Sequence, residues 1–280
     1  MTPTPGNREG RAHRVSRWVT AVLLLIAAAS AGCGGAPLGP TPVNPPLEPP
    51  PVNPAPDPTP PAPLPSPVLR FTKLLAFGDS LTEGKTSLAF APMTLEFAES
   101  YSRKLQGKLA ARYTAQTITV ANEGLGGERA EEGVKRLPDA LQNRQPELVL
   151  LMEGANDLIA LGATGPSRAA AAMDQMVKIC KTRNLAVMLA GIPPQRPGGS
   201  RAGSVELVAP YNERLREVAR ADRVEFVDIE AGFQGDLSLI GSDGLHPTDA
   251  GYERIAQTFY ERIVAVYEQA PPSPGVPAVR

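Results

Sequence analysis

Four short groups of polar and small residues, each following an apolar run, contain the side chains that could perform chemistry. They occupy residues 78–84, 122–127, 153–157 and 243–247. The first contains Ser80, and the last contains Asp243 and His246. A serine hydroxyl is a poor nucleophile until a hydrogen-bonded base accepts its proton, and an imidazole oriented by a carboxylate is a common base. If the fold brings these three side chains together, they are candidates for nucleophilic catalysis, with Ser80 as nucleophile, His246 as base and Asp243 as the residue that orients the imidazole.

The scarcity of histidine strengthens this hypothesis. The chain has two histidines, and His13 lies in an N-terminal segment that we expect to be removed. A proton carrier that titrates near neutral pH must then be His246. Zinc sites built on several histidines or on several thiolates are excluded, whereas a divalent-ion site made only of carboxylates stays possible. The serine chemistry itself requires no metal and no organic cofactor.

Each of these residues also has an ordinary structural interpretation. Asp243 and His246 are three residues apart, which can place the two side chains together, but the same segment could be a plain turn before a helix capped by Thr248. Ser80, between a strand and a helix, could be a helix cap. Cys180 shares a predicted helical face with apolar residues, so we expect a buried core residue rather than a nucleophile.

Alternating strand and helix patterns would position the four groups. Five apolar runs predict strands at residues 69–77, 117–121, 147–152, 185–192 and 224–229. The segments between them repeat apolar residues every third or fourth position, which predicts helices. The pattern predicts a single three-layer α/β/α domain with a five-stranded parallel sheet. Ligands of such sheets bind outside the carboxyl ends of the strands, where the four groups lie.

Taken together, the four groups resemble the sequence blocks of the GDSL-type hydrolases, the SGNH superfamily. The resemblance covers residues 69–268, and the blocks follow the family's order. The sequence GDSL at residues 78–81 resembles the nucleophile block, and DGLH at 243–246 resembles the last block. The resemblance implies a flavodoxin-like SGNH hydrolase fold and a catalytic triad of Ser80, His246 and Asp243.

The resemblance also implies an oxyanion hole. Its donors would be the backbone N–H groups of Ser80 and Gly127 and the side-chain amide of Asn156, the last from the sequence GAND at residues 154–157. The family often has Asp-Thr after the second-block glycine, whereas Glu-Arg follows Gly127 here. This departure leaves Gly124 and Gly126 as alternatives to Gly127.

For the activity, the resemblance implies a serine ester hydrolase that works through an acyl-enzyme. Its substrates would be lysophospholipids, thioesters or short-chain esters, and the alternative is an O-acetyl esterase acting on acetylated polysaccharide or cell-wall glycan. A non-catalytic binding module on the same fold is a third hypothesis. We expect a monomer. Apolar side chains after the nucleophile could line an acyl groove or belong to the core: Leu88, Phe90, Met93 and Phe97.

Composition divides the chain into unequal parts. Of its 280 residues and 31 prolines, 16 prolines fall between positions 37 and 67. A segment so poor in large apolar residues cannot bury enough surface to fold. We predict a disordered linker at residues 34–67, a hydrolase domain at 68–270 and a disordered tail at 271–280. The net charge of −1, without a basic stripe, argues against a nucleic acid partner.

The N-terminus resembles an export signal at residues 1–33. Several arginines precede an apolar run at residues 19–31. As a helix this run would rise only about 20 Å, less than the roughly 30 Å hydrocarbon core of a bilayer, which favours a cleaved signal. Residues 30–33 (SAGC) resemble a lipoprotein cleavage site, so we expect lipidation of Cys33; ordinary cleavage after Ala31 is the alternative. The protein would then be a membrane-anchored lipoprotein or a periplasmic or extracellular protein.

Overall fold

The structure is a computed structural model that describes residues 66–87, 94–95 (backbone only) and 100–270. The predicted signal with Cys33, nearly all of the predicted linker and the predicted tail lie outside these residues. So do the side chains suggested for an acyl groove. The predicted domain boundaries therefore stay predictions.

A parallel sheet of five strands forms the centre of the described domain. In chain order its strands are β1 (Lys73–Gly78), β2 (Thr119–Gly124), β3 (Leu148–Met152), β4 (Ala186–Ala190) and β5 (Glu225–Val227). Their order across the sheet is β2-β1-β3-β4-β5, and all neighbours are parallel. This is the flavodoxin-like order. Strand β3 is buried along its whole length, as its continuous apolar sequence predicts.

Helices cover both faces of the sheet. They are α1 (Ser80–Glu83), α2 (Tyr101–Arg112), α3 (Ala130–Arg144), α4 (Ala155–Leu161), α5 (Gly165–Thr182), α6 (Val205–Asp222), α7 (Ile229–Gly232) and α8 (Asp249–Tyr267). Short 3₁₀ helices occupy Gly162–Thr164 and Leu237–Leu239. Helices α2 and α8 pack against each other, and α5 packs against α3, α4 and α6. The predicted three-layer α/β/α fold is confirmed.

The pairing of α2 with α8 shows how the helical periodicity produces the core. The buried residues of α8 recur every third or fourth position and include Tyr252, Ile255, Phe259 and Ile263. The Phe259 ring stacks on the ring of Tyr101, with centroids 5.2 Å apart. Burying one large apolar side chain stabilises a fold by roughly 1.5–3 kcal/mol. This stripe therefore fixes the final helix against the first long one.

The first predicted strand, residues 69–77, is wrong in its extent. Val68–Leu69 instead forms a two-residue antiparallel pair with Glu268–Gln269, and β1 begins only at Lys73. The reason is a long-range contact, because the Glu147 carboxylate accepts hydrogen bonds from the N–H groups of Thr72 and Lys73. A second small antiparallel pair joins Lys85–Thr86 to Thr94–Leu95.

The sheet topology places the candidate groups at one edge. The chain order reverses at β1, which pairs with β2 on one side and β3 on the other. The segments after these three strands contain Ser80, Gly127 and Asn156. Ligands of open parallel sheets bind at such a switch point. Among the described residues, no helix is both long and apolar enough to span a membrane.

Candidate active site

Ser80 is the first residue of α1, immediately after β1. Asp79, not Ser80, caps this helix, since its Oδ1 accepts a hydrogen bond from the Leu81 N–H at 2.9 Å. The cap interpretation of Ser80 is therefore wrong. The Ser80 hydroxyl is therefore available for another contact. Because the residue is only 3% exposed, that contact is made with another group of the protein.

That group is the imidazole of His246, 166 residues further along the chain. Its Nε2 lies 2.9 Å from the Ser80 Oγ, and its Nδ1 lies 2.6 Å from the Asp243 Oδ2. A carboxylate beside Nδ1 favours the tautomer with the proton on Nδ1, which leaves Nε2 as an acceptor for the serine proton. The structure thus brings together all three residues expected to form the triad.

A tight loop presents His246. Ile240 and Pro247 form an antiparallel bridge across the loop, and the Gly241 N–H donates to the His246 carbonyl oxygen at 2.8 Å. Thr248 caps α8, and its Oγ1 accepts from the Gly251 N–H. The turn interpretation and the catalytic interpretation of this segment are therefore compatible, because the turn is what orients the imidazole.

The Asp243 carboxylate is held in its ionised form. Burial opposes ionisation, but hydrogen bonds from the His246 ring and from the N–H groups of Leu245 and His246 outweigh it and lower the pKa of Asp243 well below its usual range. A negative charge beside the ring stabilises the imidazolium that forms when Nε2 accepts a proton.

The three candidate glycines of the second group differ in their surroundings, and Gly127 is the exposed one. The Gly124 N–H already donates to the Asn122 Oδ1, and Gly126 lies against the Lys85 side chain. Gly127 is exposed and occupies the third position of a turn closed by a hydrogen bond from the Glu128 N–H. Its φ of 85° is the value that favours glycine there.

Asn156 lies in the first turn of α4, next to this turn. Its Nδ2 donates to the carbonyl oxygen of Glu128, the residue after Gly127, at 2.9 Å. A side-chain amide nitrogen carries two hydrogens. One hydrogen therefore fixes Asn156 to the turn, and the second is available to a ligand.

Several buried acidic side chains, one of them paired with an arginine, were missed by the sequence analysis. Arg136 of α3 binds both carboxylate oxygens of Glu128, at 2.8 and 2.5 Å. Asp79 and Glu153 are completely buried. Burial raises the pKa of Asp79 to about 7 against the hydrogen bond from the Leu81 N–H. An acidic residue directly after the apolar run of β3 was the signal in the sequence that could have pointed to Glu153.

Two further expectations concern other chemistry. Cys180 is fully buried in α5, and burial raises the pKa of its thiol to about 12, which confirms the core interpretation. Within the described residues, no group of three or more His, Cys, Asp or Glu side chains is arranged to hold a metal ion.

Comparison of the sequence with known proteins supports the family assignment. A model of the GDSL-like Lipase/Acylhydrolase family matches residues 76–254. An arylesterase of Vibrio mimicus is 30% identical over 194 residues, which span 69% of this chain and 88% of that protein.

Solved structures show the same fold at lower sequence identity. A carbohydrate acetylesterase from Sinorhizobium meliloti, Est24, superposes with a TM-score of 0.61 at 21% identity, over 69% of this chain and 99% of that one. The aryl esterase of M. smegmatis gives a TM-score of 0.58 at 22% identity, over 69% and 98% of the two chains. At this identity the likeness is evidence for the fold alone.

Proposed function

Because the chain belongs to the GDSL-like lipase/acylhydrolase family and is a carboxylic ester hydrolase, we propose that it cleaves esters through an acyl-enzyme formed on Ser80. The observation that carries this proposal is the chain of contacts from the Ser80 Oγ to the His246 Nε2 and from the His246 Nδ1 to Asp243. A hydroxyl activated in this way is a nucleophile for acyl groups.

In the first half of the reaction, the Ser80 Oγ attacks the ester carbonyl carbon, and its proton moves to the His246 Nε2. The carbonyl oxygen becomes an oxyanion, which accepts hydrogen bonds from the N–H groups of Ser80 and Gly127 and from the Asn156 amide. The C–O bond to the leaving group then breaks, and the departing oxygen takes the proton from His246. The acyl group stays on Ser80 as an ester.

In the second half, water replaces the leaving group. The water oxygen attacks the acyl carbon while His246 takes a proton from the water. His246 then gives that proton to the Ser80 Oγ when the acyl–serine bond breaks. The products are a carboxylic acid and the free enzyme. Asp243 keeps its proton-free form throughout and stabilises the imidazolium in both halves.

For the substrate, we propose short-chain esters of small alcohols or phenols. The likeness to the Vibrio mimicus arylesterase supports this class. An acetylated glycan is the second candidate, supported by the fold shared with a carbohydrate acetylesterase. Lysophospholipids and thioesters are further candidate substrates, supported by the match to the lipase/acylhydrolase family model.

For the location, we propose an exported protein with a lipid anchor on Cys33. The support is the sequence pattern of residues 1–33, which lie outside the described residues. Mass spectrometry of the mature N-terminus tests this proposal. A diacylated cysteine at position 33 would support it, and an unmodified N-terminus beginning at Gly32, after cleavage behind Ala31, would overturn the anchor.

Hydrolysis kinetics test the proposed activity. The purified protein is assayed with nitrophenyl esters of increasing acyl length and with an acetylated oligosaccharide. We expect Ser80→Ala to lose nearly all activity, and Ser167→Ala, an exposed serine on α5 whose hydroxyl bonds only locally, to keep it. An active Ser80→Ala protein would refute the proposed nucleophile, and the preferred substrate separates the two candidate classes.

A further inference from the structure

The guanidinium group of Arg136, on α3, joins the ends of two strands to the side chain of Glu128. Its Nε and Nη2 donate to the two carboxylate oxygens of Glu128, at 2.8 and 2.5 Å. The Nη2 also donates to the carbonyl oxygens of Gly78 in β1 and Glu123 in β2, at 3.3 and 3.1 Å. The guanidinium lies over the Phe77 ring, 4.1 Å from its centroid. A planar group that is stacked on a ring and bonded on several sides has a fixed orientation.

These contacts hold both ends of the turn that contains Gly127. At the start of the turn, the Leu125 N–H donates to the Gly78 carbonyl oxygen at 2.9 Å, and Arg136 donates to the same oxygen. At the end of the turn, the Glu128 carboxylate is bound to Arg136. The Glu128 N–H closes the turn with a hydrogen bond to the Leu125 carbonyl oxygen at 3.2 Å. The backbone of Gly127 is therefore fixed relative to the end of β1.

The other two expected oxyanion donors belong to segments that are attached to the same contacts. The Asn156 amide donates to the carbonyl oxygen of Glu128, the residue whose side chain binds Arg136. Ser80 begins α1, two residues after Gly78. All three expected donors therefore lie in segments that are bonded to Arg136 or to its partner Glu128.

Stability alone does not account for a charged pair in this place. The side chain of Glu128 is only 4% exposed, and that of Arg136 is 24% exposed. The cost of removing two charges from water can exceed their mutual attraction, and apolar replacements of buried ion pairs are often equally stable or more stable. An apolar pair, however, would have no N–H groups to bind the carbonyl oxygens of Gly78 and Glu123. The charged pair therefore contributes orientation that apolar packing would not supply.

We propose that Arg136 is a positioning residue, which binds Glu128 and the Gly78 carbonyl oxygen and so keeps Gly127 and Asn156 in the geometry that stabilises the oxyanion. This inference rests on the proposed function. Arg136 acts on the reaction through its neighbours and does not touch the substrate. Because oxyanion donors act mainly in the transition state, its loss should affect kcat more than KM.

Steady-state kinetics of Arg136→Lys test the proposal. The lysine keeps a positive charge opposite Glu128 but replaces the planar fork with a single ammonium group. We expect kcat to fall about tenfold or more and KM to stay within about twofold. Arg144→Lys is the matched control and should keep both constants, because Arg144 lies on the same helix and binds the Glu123 carboxylate at 2.6 Å on the exposed side. An unchanged kcat in Arg136→Lys, a loss confined to KM, or an equal loss in Arg144→Lys would overturn the proposal.

A double-mutant cycle with Asn156→Ala distinguishes positioning from a general loss of structure. If Arg136 acts through the oxyanion donors, removal of the Asn156 amide removes part of what it positions. Arg136→Lys should then lower kcat by about threefold or less in the Asn156→Ala background, instead of about tenfold. Losses that simply multiply in the double variant would show independent effects and would overturn the proposal.

A variant without either charge separates activity from stability. Arg136→Met combined with Glu128→Leu leaves no unpaired charge buried, so the domain should stay folded even if Arg136→Lys does not. We expect a melting temperature within about 5 °C of that of the unsubstituted protein, and a kcat that is lower by about tenfold or more. A folded double variant with full kcat would overturn the proposal.

The proposed function and the positioning role fail in different ways. If the unsubstituted protein hydrolyses no ester and its Ser80 reacts with no acylating probe, the proposed function is wrong and the positioning role is wrong with it. If the unsubstituted protein is active and only the Arg136 outcomes fail, the hydrolase assignment stands and the positioning role alone is wrong.

Discussion

The side-chain amide of Asn156 donates a hydrogen bond to the Glu128 carbonyl oxygen, with 2.9 Å between nitrogen and oxygen. This contact joins the segment after β3 to the segment after β2. The two expected oxyanion donors that lie outside the nucleophile segment, Gly127 and Asn156, are therefore held as one unit. Donors fixed before the substrate arrives need no reorganisation when negative charge develops on the carbonyl oxygen.

Replacement of Asn156 by alanine should lower kcat by roughly 10²–10³ and change KM little, because the lost donor acts mainly in the transition state. Steady-state kinetics on a nitrophenyl ester measure this. Asn143→Ala, an exposed position on α3, is the matched control and should behave as the unsubstituted protein. A rise in KM with an unchanged kcat would mean that Asn156 binds the ground state and the transition state equally, which would contradict a role specific to the oxyanion.

Replacement of Asp243 by asparagine should lower kcat by roughly 10²–10⁴ without unfolding the domain. The amide has nearly the same shape but carries no charge, so it stabilises the imidazolium less and can reverse the ring tautomer. Melting temperature and kcat are measured together, with the exposed Asp139→Asn as control. A variant that keeps more than half of the original kcat would exclude Asp243 from the triad.

The rate should also depend on pH in a defined direction. A general base must be free of its proton to accept one from the serine hydroxyl, so kcat/KM should fall on acidification. Asp243 does not cause the fall, because its pKa lies well below the usual range and its charge persists in mild acid. Profiles between pH 4 and 9 measure this, and a flat acidic limb would contradict His246 as the base.

The buried carboxyl group of Asp79 leads to a separate prediction about how stability depends on pH. Its pKa in the folded protein is about 7, against 3.8 for the unperturbed group. Between these two values the folded state holds a proton that the unfolded state has released. The proton bound to Asp79 therefore stabilises the folded state fully below about pH 4, and this stabilisation is lost as the pH rises to 7. The loss amounts to about 1.4 kcal/mol per pH unit within that window.

Asp79→Asn removes this dependence and keeps an oxygen for the Leu81 N–H. The free energy of unfolding of the variant minus that of the unsubstituted protein should increase by at least about 1 kcal/mol when the pH is raised from 4 to 8. Urea denaturation at several pH values measures this difference. Parallel pH dependences for the two proteins would show that burial does not raise the pKa of Asp79.

The sequence alone predicted the parallel sheet and the residues with candidate chemistry, because both leave local patterns in the chain. Apolar runs separated by helical periodicity predicted the parallel sheet, and the polar groups after the strands pointed to Ser80 and His246. Asn156 was expected only through the resemblance to the GDSL-type hydrolases. The exact strand limits were not predictable in the same way. Glu147 contacts Thr72 and Lys73 across the sheet, and only the folded chain reveals that β1 begins at Lys73.

The pair of Arg136 and the buried Glu128, and the buried Glu153, were missed for a physical reason. Arg136 stands among the charged residues of α3, where a sequence pattern cannot distinguish a solvated side chain from one that binds Glu128 and lies over the Phe77 ring, 4.1 Å from its centroid. The buried Glu153 carboxyl group lies against Gly133 of α3, which belongs to another element of the chain. Such long-range contacts between charged side chains leave no periodic signal.

The most direct test of the central claim is peptide mapping after treatment with a fluorophosphonate, which labels activated serine hydroxyls. We expect one modified residue, Ser80, in the unsubstituted protein, and a labelling rate in His246→Ala that is lower by orders of magnitude. Labelling of a different serine, or labelling of Ser80 at an equal rate in His246→Ala, would contradict the account in which the imidazole activates that hydroxyl.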